Sequence, residues 1–480
     1  MDWVALQRRY ETPPGLTPRT ARLLALQRVL DGTQYDVLPY PFATERNPAG
    51  EYIPLSQRRP SVRTNLCRTV VDEAVSLLFG NTHWPLAVSR CGETADAMNR
   101  FAREAGLPVL LMQAAIRGSV GSVALLVELI EGRPHVRMLE TAYLTPKRDR
   151  SGTLDHVTER YIVTGGDLVA SGYRIDPACH ATRYWWQRRW TREVVQYFIP
   201  QPVDQTGDMQ VDHGRSFPHG MGVVPLVWIR NLGGMADEPD GECSFEKAID
   251  TVIEADYLLS QAGRGLKYGS DPTLVLKTPD IPDGLARQGG AATALTLPPE
   301  GDAKLLEING AAAGAVLAHY RELRQLVLEQ LHGNRMHGDR LGVPQSGRAM
   351  ELMCQPLIWL TDRLRGSYGE GGILPLYRLI CHLSGILPDG VRIGENHYRD
   401  LDPACLSLHW PAWFTADEGE LLPMAQGLGT AVTNGLLSRE TAARLFASAA
   451  GLVDPAGEWT TIRTAEAAET DPLGIDGNGG

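Results

Sequence analysis

Ser244-Phe245-Glu246-Lys247-Ala248-Ile249-Asp250-Thr251-Val252-Ile253-Glu254 opens the stretch that decides the fold, and the same pattern runs on to Lys267. Phe245, Ile249, Val252, Ile253 and Leu259 recur at helical spacing, with Glu246, Asp250 and Glu254 on another face. Ser244 is placed to cap the N-terminus, and Gly269 follows the end. Gly314 to Arg335 repeats the logic: Leu317, Tyr320, Leu323, Val327 and Leu331 form a stripe, while Arg321, Glu322, Arg324 and Glu329 supply charge elsewhere. Each segment is therefore a two-faced rod of roughly 30–35 Å at 1.5 Å per residue.

Between the rods, Tyr268 to Ala313 carries Pro272, Pro279, Pro282, Pro298 and Pro299 with Gly284, Gly289 and Gly290, leaving short strand-like runs at Thr273–Lys277 and Lys304–Ile308. Such a segment cannot continue a helix, so the rods are predicted to form a hairpin capped by a small irregular lobe containing β structure. The polar stretch His337-Gly338-Asp339-Arg340-Leu341-Gly342-Val343-Pro344-Gln345 follows the second rod, and Ser346-Gly347 opens a third apolar-periodic run through Met350, Met353, Leu357, Leu360 and Leu364. Pro356 inside that run predicts a kink rather than a stop, because the apolar spacing continues beyond it. On periodicity alone, the polar stretch reads as a solvated connection between helices.

Working outward, 480 residues allow two to four compact lobes, and 43% hydrophobic with 21% charged residues reads as a globular, soluble chain. No run of about 18 apolar residues is present, and Met1-Asp2-Trp3 with Arg8 and Arg9 lacks the apolar core of a signal peptide. Cys67, Cys91, Cys179, Cys243, Cys354, Cys381 and Cys405 are dispersed and never form a CxxC pair, which predicts reduced thiols buried as small hydrophobes. The formal charge is −11, with arginine supplying nearly all the positive side chains. That balance disfavours tight sequence-independent DNA binding, and it suits a surface past which DNA must slide.

Residues 1–60 are rich in arginine and proline and read as an extended arm with one helix around Thr17–Leu30. Asn65 to Phe79 is an amphipathic helix closed by Gly80, and helices are also predicted at about 95–104 and 110–117. From Gly121 to Trp228 the period changes to two, with strands predicted at Val123–Ile130, His135–Leu139, His156–Val163, Tyr184–Trp190 and Val194–Ile199. The cluster Tyr184-Trp185-Trp186 and Trp190, with Arg183, Arg188 and Arg189, reads as a strand whose aromatic side packs inward; stacking on nucleic acid is the competing reading. A further helix at 368–385, a strand-like 406–410, helices at 417–434 and 438–450, and a disordered acidic tail over 465–480 complete the chain, with no internal repeat. The expected fold class is α+β.

Catalytic signatures are missing: no GxxxxGK[ST], no HExxH and no GxSxG occurs. Asp237-Glu238-Pro239-Asp240-Gly241-Glu242 resembles a calcium loop superficially, but alignment on Gly241 puts Ala236 first and Lys247 last, where carboxylates are required. His213 and His219 share a loop without a cysteine or carboxylate at metal-like spacing. The reading is therefore not an enzyme, with no catalytic residue, metal or cofactor. The competing readings are a metal-dependent nuclease or hydrolase using the acidic cluster 237–246, or a scaffold or adaptor protein without a channel.

Four local patterns, in order, are similar to those of the portal (head-to-tail connector) proteins of tailed double-stranded DNA bacteriophages, the branch found in siphophages. They are Asn65 with Val70-Val71-Asp72 and Leu77-Leu78-Phe79-Gly80-Asn81; Phe217-Pro218-His219-Gly220-Met221-Gly222-Val223-Val224-Pro225-Leu226-Val227-Trp228-Ile229-Arg230-Asn231; Gly342-Val343-Pro344-Gln345-Ser346-Gly347-Arg348-Ala349-Met350; and Asp417-Glu418 with Gly435-Leu436-Leu437-Ser438-Arg439-Glu440-Thr441-Ala442. Together they span about residues 60–460, while 145–215 is loop-rich and idiosyncratic and 1–60 matches nothing in the family pattern.

The resemblance implies a portal fold: an N-terminal arm (1–60), an α/β wing (61–244), a first stem helix (245–267), a clip (268–313), a second stem helix (314–336), a tunnel loop (337–347), wing return helices (348–415), a helical crown (416–464) and an acidic tail (465–480). It implies a twelve-subunit ring at one capsid vertex of the virion, assembled in the host bacterial cytoplasm, through which double-stranded DNA is packaged and ejected. The implied partners are the terminase large subunit, a head-completion or tail adaptor protein, and the major capsid and scaffolding proteins, with no membrane. His337, Asp339, Arg340 and Leu341 become the DNA-proximal candidates, and Glu246, Asp250 and Glu254 candidates for the stem lumen, a solvated or salt-bridging face being the other reading of those three.

Overall fold

The computed structural model describes residues 2–11, 15–80, 83–234, 238–270, 274–277, 294–297, 310–333, 347–413, 418–450, 452 and 455–470. In chain order it contains α1 (Trp3–Gln7), α2 (Pro18–Leu30), β1 (Tyr40–Pro41), β2 (Arg58–Arg59), α3 (Leu66–Phe79), β3 (Leu86–Val88), α4 (Gly92–Glu104), α5 (Leu107–Gly118), β4 (Ser122–Ile130), β5 (Arg133–Glu140), β6 (Leu144–Arg148), β7 (Leu154–Thr164), α6 (Gly165–Ala170), β8 (Arg183–Trp190), β9 (Val194–Phe198), β10 (Gln201–Pro202), β11 (Val211–Pro218) and β12 (Leu226–Arg230). There follow α7 (Ile249–Ser270), β13 (Leu274–Lys277), β14 (Ala294–Leu297), α8 (Gly310–Gln330), α9 (Gly347–Leu364), α10 (Leu374–Ile386), β15 (Val391–Ile393), β16 (Asn396–Tyr398), β17 (Ser407–His409), α11 (Glu418–Thr433), α12 (Arg439–Ala449) and α13 (Pro455–Thr470). Helix and sheet are mixed, as α+β requires.

Strand β4 organises the interior. It is the middle strand of a sheet ordered β12-β4-β5, and the β4–β5 hairpin turns on Glu131 and Gly132, both at positive φ (52° and 75°). That pair of left-handed residues makes the tight turn whose twist matches a hairpin. Alternation along β4 then serves two cores. Val123, Leu125 and Val127 join the main cluster beneath α3, α5, α7 and α10, whereas Ala124 and Leu126 join a second cluster with Leu144, Val157, Trp190, Val195 and Trp228. The second cluster lies against the larger antiparallel sheet, ordered β11-β9-β8-β7-β6 with β10 paired to β8.

The N-terminal segment departs from the extended-arm reading. Trp3, Leu6, Leu23, Leu26, Val29, Leu30, Tyr35 and Leu38 are all buried in the main cluster. Helix α2 starts where Thr17 accepts from the Thr20 N–H, with Pro18 in the first turn, and its apolar side lies on the body of the same chain. The physical reason is burial: these side chains hold enough apolar surface to offset ordering the segment.

Other boundaries also moved. Ser244 does not cap the first long helix; its hydroxyl accepts from Asn231 Nδ2 at 2.9 Å, and a 3₁₀ turn at Glu246–Ala248 leads into α7. Helix α8 starts at Gly310 and stops at Gln330, short of residue 336, because His332 adopts φ 55° and the Gly333 N–H closes back on Leu328 O at 2.9 Å. Helix α9 continues through Pro356, and a π-helical segment, Arg365–Ile373, joins it to α10. Residues 465–470, read as disordered tail, belong to α13, while 471–480 and the strand-like run 304–308 lie outside the described residues. Of the cysteines, Cys67, Cys243 and Cys381 are buried, but Cys91 and Cys405 are exposed and Cys179 and Cys354 intermediate.

Candidate functional site

Helices α7 and α8 pack against each other, and they are buried very unequally. Val252, Ile253, Ala255, Asp256 and Tyr257 place the first half of α7 in the core. By contrast, among the described residues of α8 only Val327 and Leu328, near its end, are fully buried, with Leu331 just beyond it, while Leu317 is 44% and Leu326 43% exposed. The pair therefore projects from the body, anchored at one end.

That anchor is made by residues 3–64 of the same chain. The Trp3 N–H donates to Asp250 Oδ1 at 2.6 Å, and Arg22 Nη2 donates to Glu246 Oε2 at 2.6 Å. Asp256 accepts from Tyr35 Oη at 2.8 Å, the Thr64 N–H at 2.8 Å and Thr64 Oγ1 at 2.7 Å, with its side chain fully buried. Burial raises the Asp256 pKa, and the bonds from Thr64 and Tyr35 work against that rise. Further along, Ser260 Oγ accepts from the Val62 N–H at 3.0 Å, and Tyr257 Oη donates to Arg58 O at 2.9 Å. Two of the three acidic residues proposed for a lumen, Glu246 and Asp250, are thus held by the chain's own N-terminal segment; Glu254 is exposed.

Just before α7, two buried polar nodes fix its start. Asp240 takes a bidentate bond from Arg19 (Nε to Oδ2 2.6 Å, Nη2 to Oδ1 2.7 Å) and one from Ser122 Oγ, while Arg19 Nη1 reaches Leu144 O at 2.7 Å. Asn231, wholly buried, donates to Glu242 O at 2.7 Å and accepts from Tyr368 Oη at 3.3 Å. Gly241 sits so close to the Asn231 and Gly233 carbonyl oxygens that a Cβ there would collide with both. Asp240, Glu242 and Glu246 of the acidic cluster 237–246 each pair with an arginine, and among the described residues no group of three potential metal ligands gathers.

Arg19 and Asn231 had no assigned role in the sequence. Asn231 was visible as the end of a quoted motif, and Arg19 could have been found only by recognising that the N-terminal segment folds back. His337, Asp339, Arg340 and Leu341 lie outside the described residues. The aromatic strand packs inward: Trp185 and Trp190 are buried, Trp186 lies 4.9 Å from the Tyr161 ring, and Arg188 covers Trp190 at 4.3 Å while pairing with Glu159 at 2.7 Å. Those groups are already satisfied within the subunit, which leaves no open stacking platform on that strand.

No protein-family model matches this chain, and no curated protein matches it. Among solved structures it is similar to a chain from the virion of a native gene transfer agent particle, at 11% identity, over 92% of this chain and 98% of that chain, with a TM-score of 0.30. A superposition at that level carries no argument about fold or function.

Proposed function

We propose that this chain is the portal, or head-to-tail connector, subunit of a tailed double-stranded DNA phage or phage-like virion, and that it has no catalytic activity of its own. Copies close into a ring, with the α7–α8 pair as the stem, the segment between them as the clip, residues 61–244 and 348–415 as the wing, and α11–α13 as the crown. The observation that carries this reading is helix α8: over 314–326 Leu317 and Leu326 are exposed and Tyr320 and Leu323 are only half-buried, so packing on α7 leaves its apolar side incompletely covered within the subunit. An isolated helix end of that length draws most of its stability from packing, so a neighbouring copy is the natural cover. Head-to-tail contacts of one surface on a different surface of the next copy close into a ring when the rotation permits. The order of the four sequence motifs supports the same assignment.

Within the ring, double-stranded DNA is packaged and ejected past His337, Asp339, Arg340 and Leu341, with Arg340 as a transient phosphate contact. Glu254 remains free to face the lumen, while Glu246 and Asp250 act inside the subunit. A net charge of −11 per copy discourages DNA from sticking. The ring docks a separate terminase ATPase and a tail adaptor. The test is mass photometry combined with end-on negative-stain imaging of purified protein. Rings of about twelve copies with an open centre are expected; a monodisperse monomer or dimer that ignores salt and concentration would remove the reason for an incompletely covered α8.

A further inference from the structure

The β6–β7 hairpin, β12, the π-helical segment and α10 line a cleft of about 920 Å³. Arg148, Arg192, Arg230, Arg363 and Arg378 converge on it together with His382, and among the described residues no carboxylate lines it. In a chain of net charge −11 this is a concentration of one sign that needs an explanation. Its floor is apolar, formed by Leu154, Val224, Leu226 and Leu379.

The guanidiniums are only partly matched at the rim. Arg192 pairs with Asp149 at 2.7 Å and Arg363 with Glu242 at 3.5 Å, while Arg148 Nη1 donates to Gly152 O at 2.7 Å and Arg230 Nη1 to Glu238 O at 3.5 Å. His382 Nε2 lies 3.1 Å from Met221 O. Burial, then the nearby Arg230 charge, lowers the Arg148 pKa, so these cations repel one another across the cleft. Among the described residues Asp149 and Glu242 pair with Arg192 and Arg363, whereas neither Arg148 nor Arg378 pairs with a carboxylate, and an anion entering from outside would relieve the repulsion.

We propose that this cleft docks an acidic peptide segment of a protein partner, one that carries aliphatic side chains among its carboxylates. Carboxylates pair with the arginine forks, bidentately where geometry allows, and aliphatic groups cover the floor. A nucleic-acid occupant is disfavoured, because the apolar floor gives phosphates nothing and a cleft of this volume suits a few residues rather than a duplex. The proposal does not depend on ring formation.

The test is fluorescence anisotropy with the full chain and a labelled twelve-residue peptide of alternating glutamate and leucine. Binding is expected, weakened about tenfold by the double charge reversal Arg192→Glu with Arg378→Glu and by a rise from about 50 to about 500 mM salt. A glutamate–serine peptide should bind about tenfold more weakly, since it leaves the floor bare. Arg378→Ala, at an exposed position, serves if the double variant fails to fold, and should weaken binding about threefold. Equal binding of the peptide to wild type and variants, or a short DNA duplex displacing it at lower concentration, would overturn the assignment.

Discussion

Replacing Asp256 by alanine would cut the tie between α7 and the segment that precedes α3. The carboxylate accepts three hydrogen bonds of 2.7–2.8 Å, and both Asp256 and Tyr35 are fully buried. Alanine leaves the Tyr35 hydroxyl and the Thr64 N–H without an acceptor, at about 1–3 kcal/mol each, whereas the Thr64 hydroxyl can rotate to another partner. Relief from burying the carboxylate returns part of that loss, so the net destabilisation is about 2–4 kcal/mol. Asparagine retains one acceptor and needs no charge, so Asp256→Asn should cost about half as much. The assay is urea unfolding followed by tryptophan fluorescence, with hydrogen exchange on α2 and α7 to locate the loss. Asp256→Ala within about 0.5 kcal/mol of wild type, with unchanged exchange in α2, would refute the reasoning. The pH dependence has a defined sign. Because the folded-state pKa of Asp256 is raised, its contribution is fully present below the unfolded value and is lost as pH rises through the folded one. The stability gap between wild type and Asp256→Asn should therefore narrow from acid towards neutral pH.

Leu317→Asp, at a side chain 44% exposed in the subunit, should leave the melting temperature of dissociated protein nearly unchanged yet abolish higher assemblies in mass photometry. Gly369→Ala should destabilise by about 1–3 kcal/mol in urea, despite alanine's better helix propensity. Its Cβ would stand 2.6 Å from Trp410 Cζ2, part of a rigid ring. A thiol reagent added to native protein should label Cys91 and Cys405 quickly and spare Cys67, Cys243 and Cys381 until denaturant is added, as peptide mapping would read out; burial pushes the Cys243 thiol up to about 12 and Cys381 to about 11.

Much of the secondary structure was legible because each element carries its own period. The strand predicted at 123–130 and the helix at 65–79 appear within a residue or so as β4 and α3. Elements whose signal is diluted were not legible. Strand β6, Leu144–Arg148, contains a proline and two adjacent cations with a single aliphatic residue, and α13 has no strong apolar stripe. Gly80 closes α3 as its sequence position suggests, but at φ −55°; glycine is needed there because a Cβ would press to 2.6 Å from Ser76 O. Such a contact depends on how the chain leaves the helix, which no local pattern records.

By itself the sequence determined the α+β class, the two long rods flanking a proline- and glycine-rich insert, the change of period at Gly121 and the absence of the familiar catalytic signatures. These follow from spacing along the chain, because a helix or strand exposes its buried face every few residues. Only the tertiary structure decided that residues 3–64 strap the base of α7, that Arg19 neutralises Asp240, that Glu246 and Asp250 are engaged within the subunit, and that five arginines share one cleft. Those partners stand up to more than two hundred residues apart in sequence, so charge and hydrogen-bond pairing between them arises only when the core closes and desolvation forces each buried polar group to find a partner.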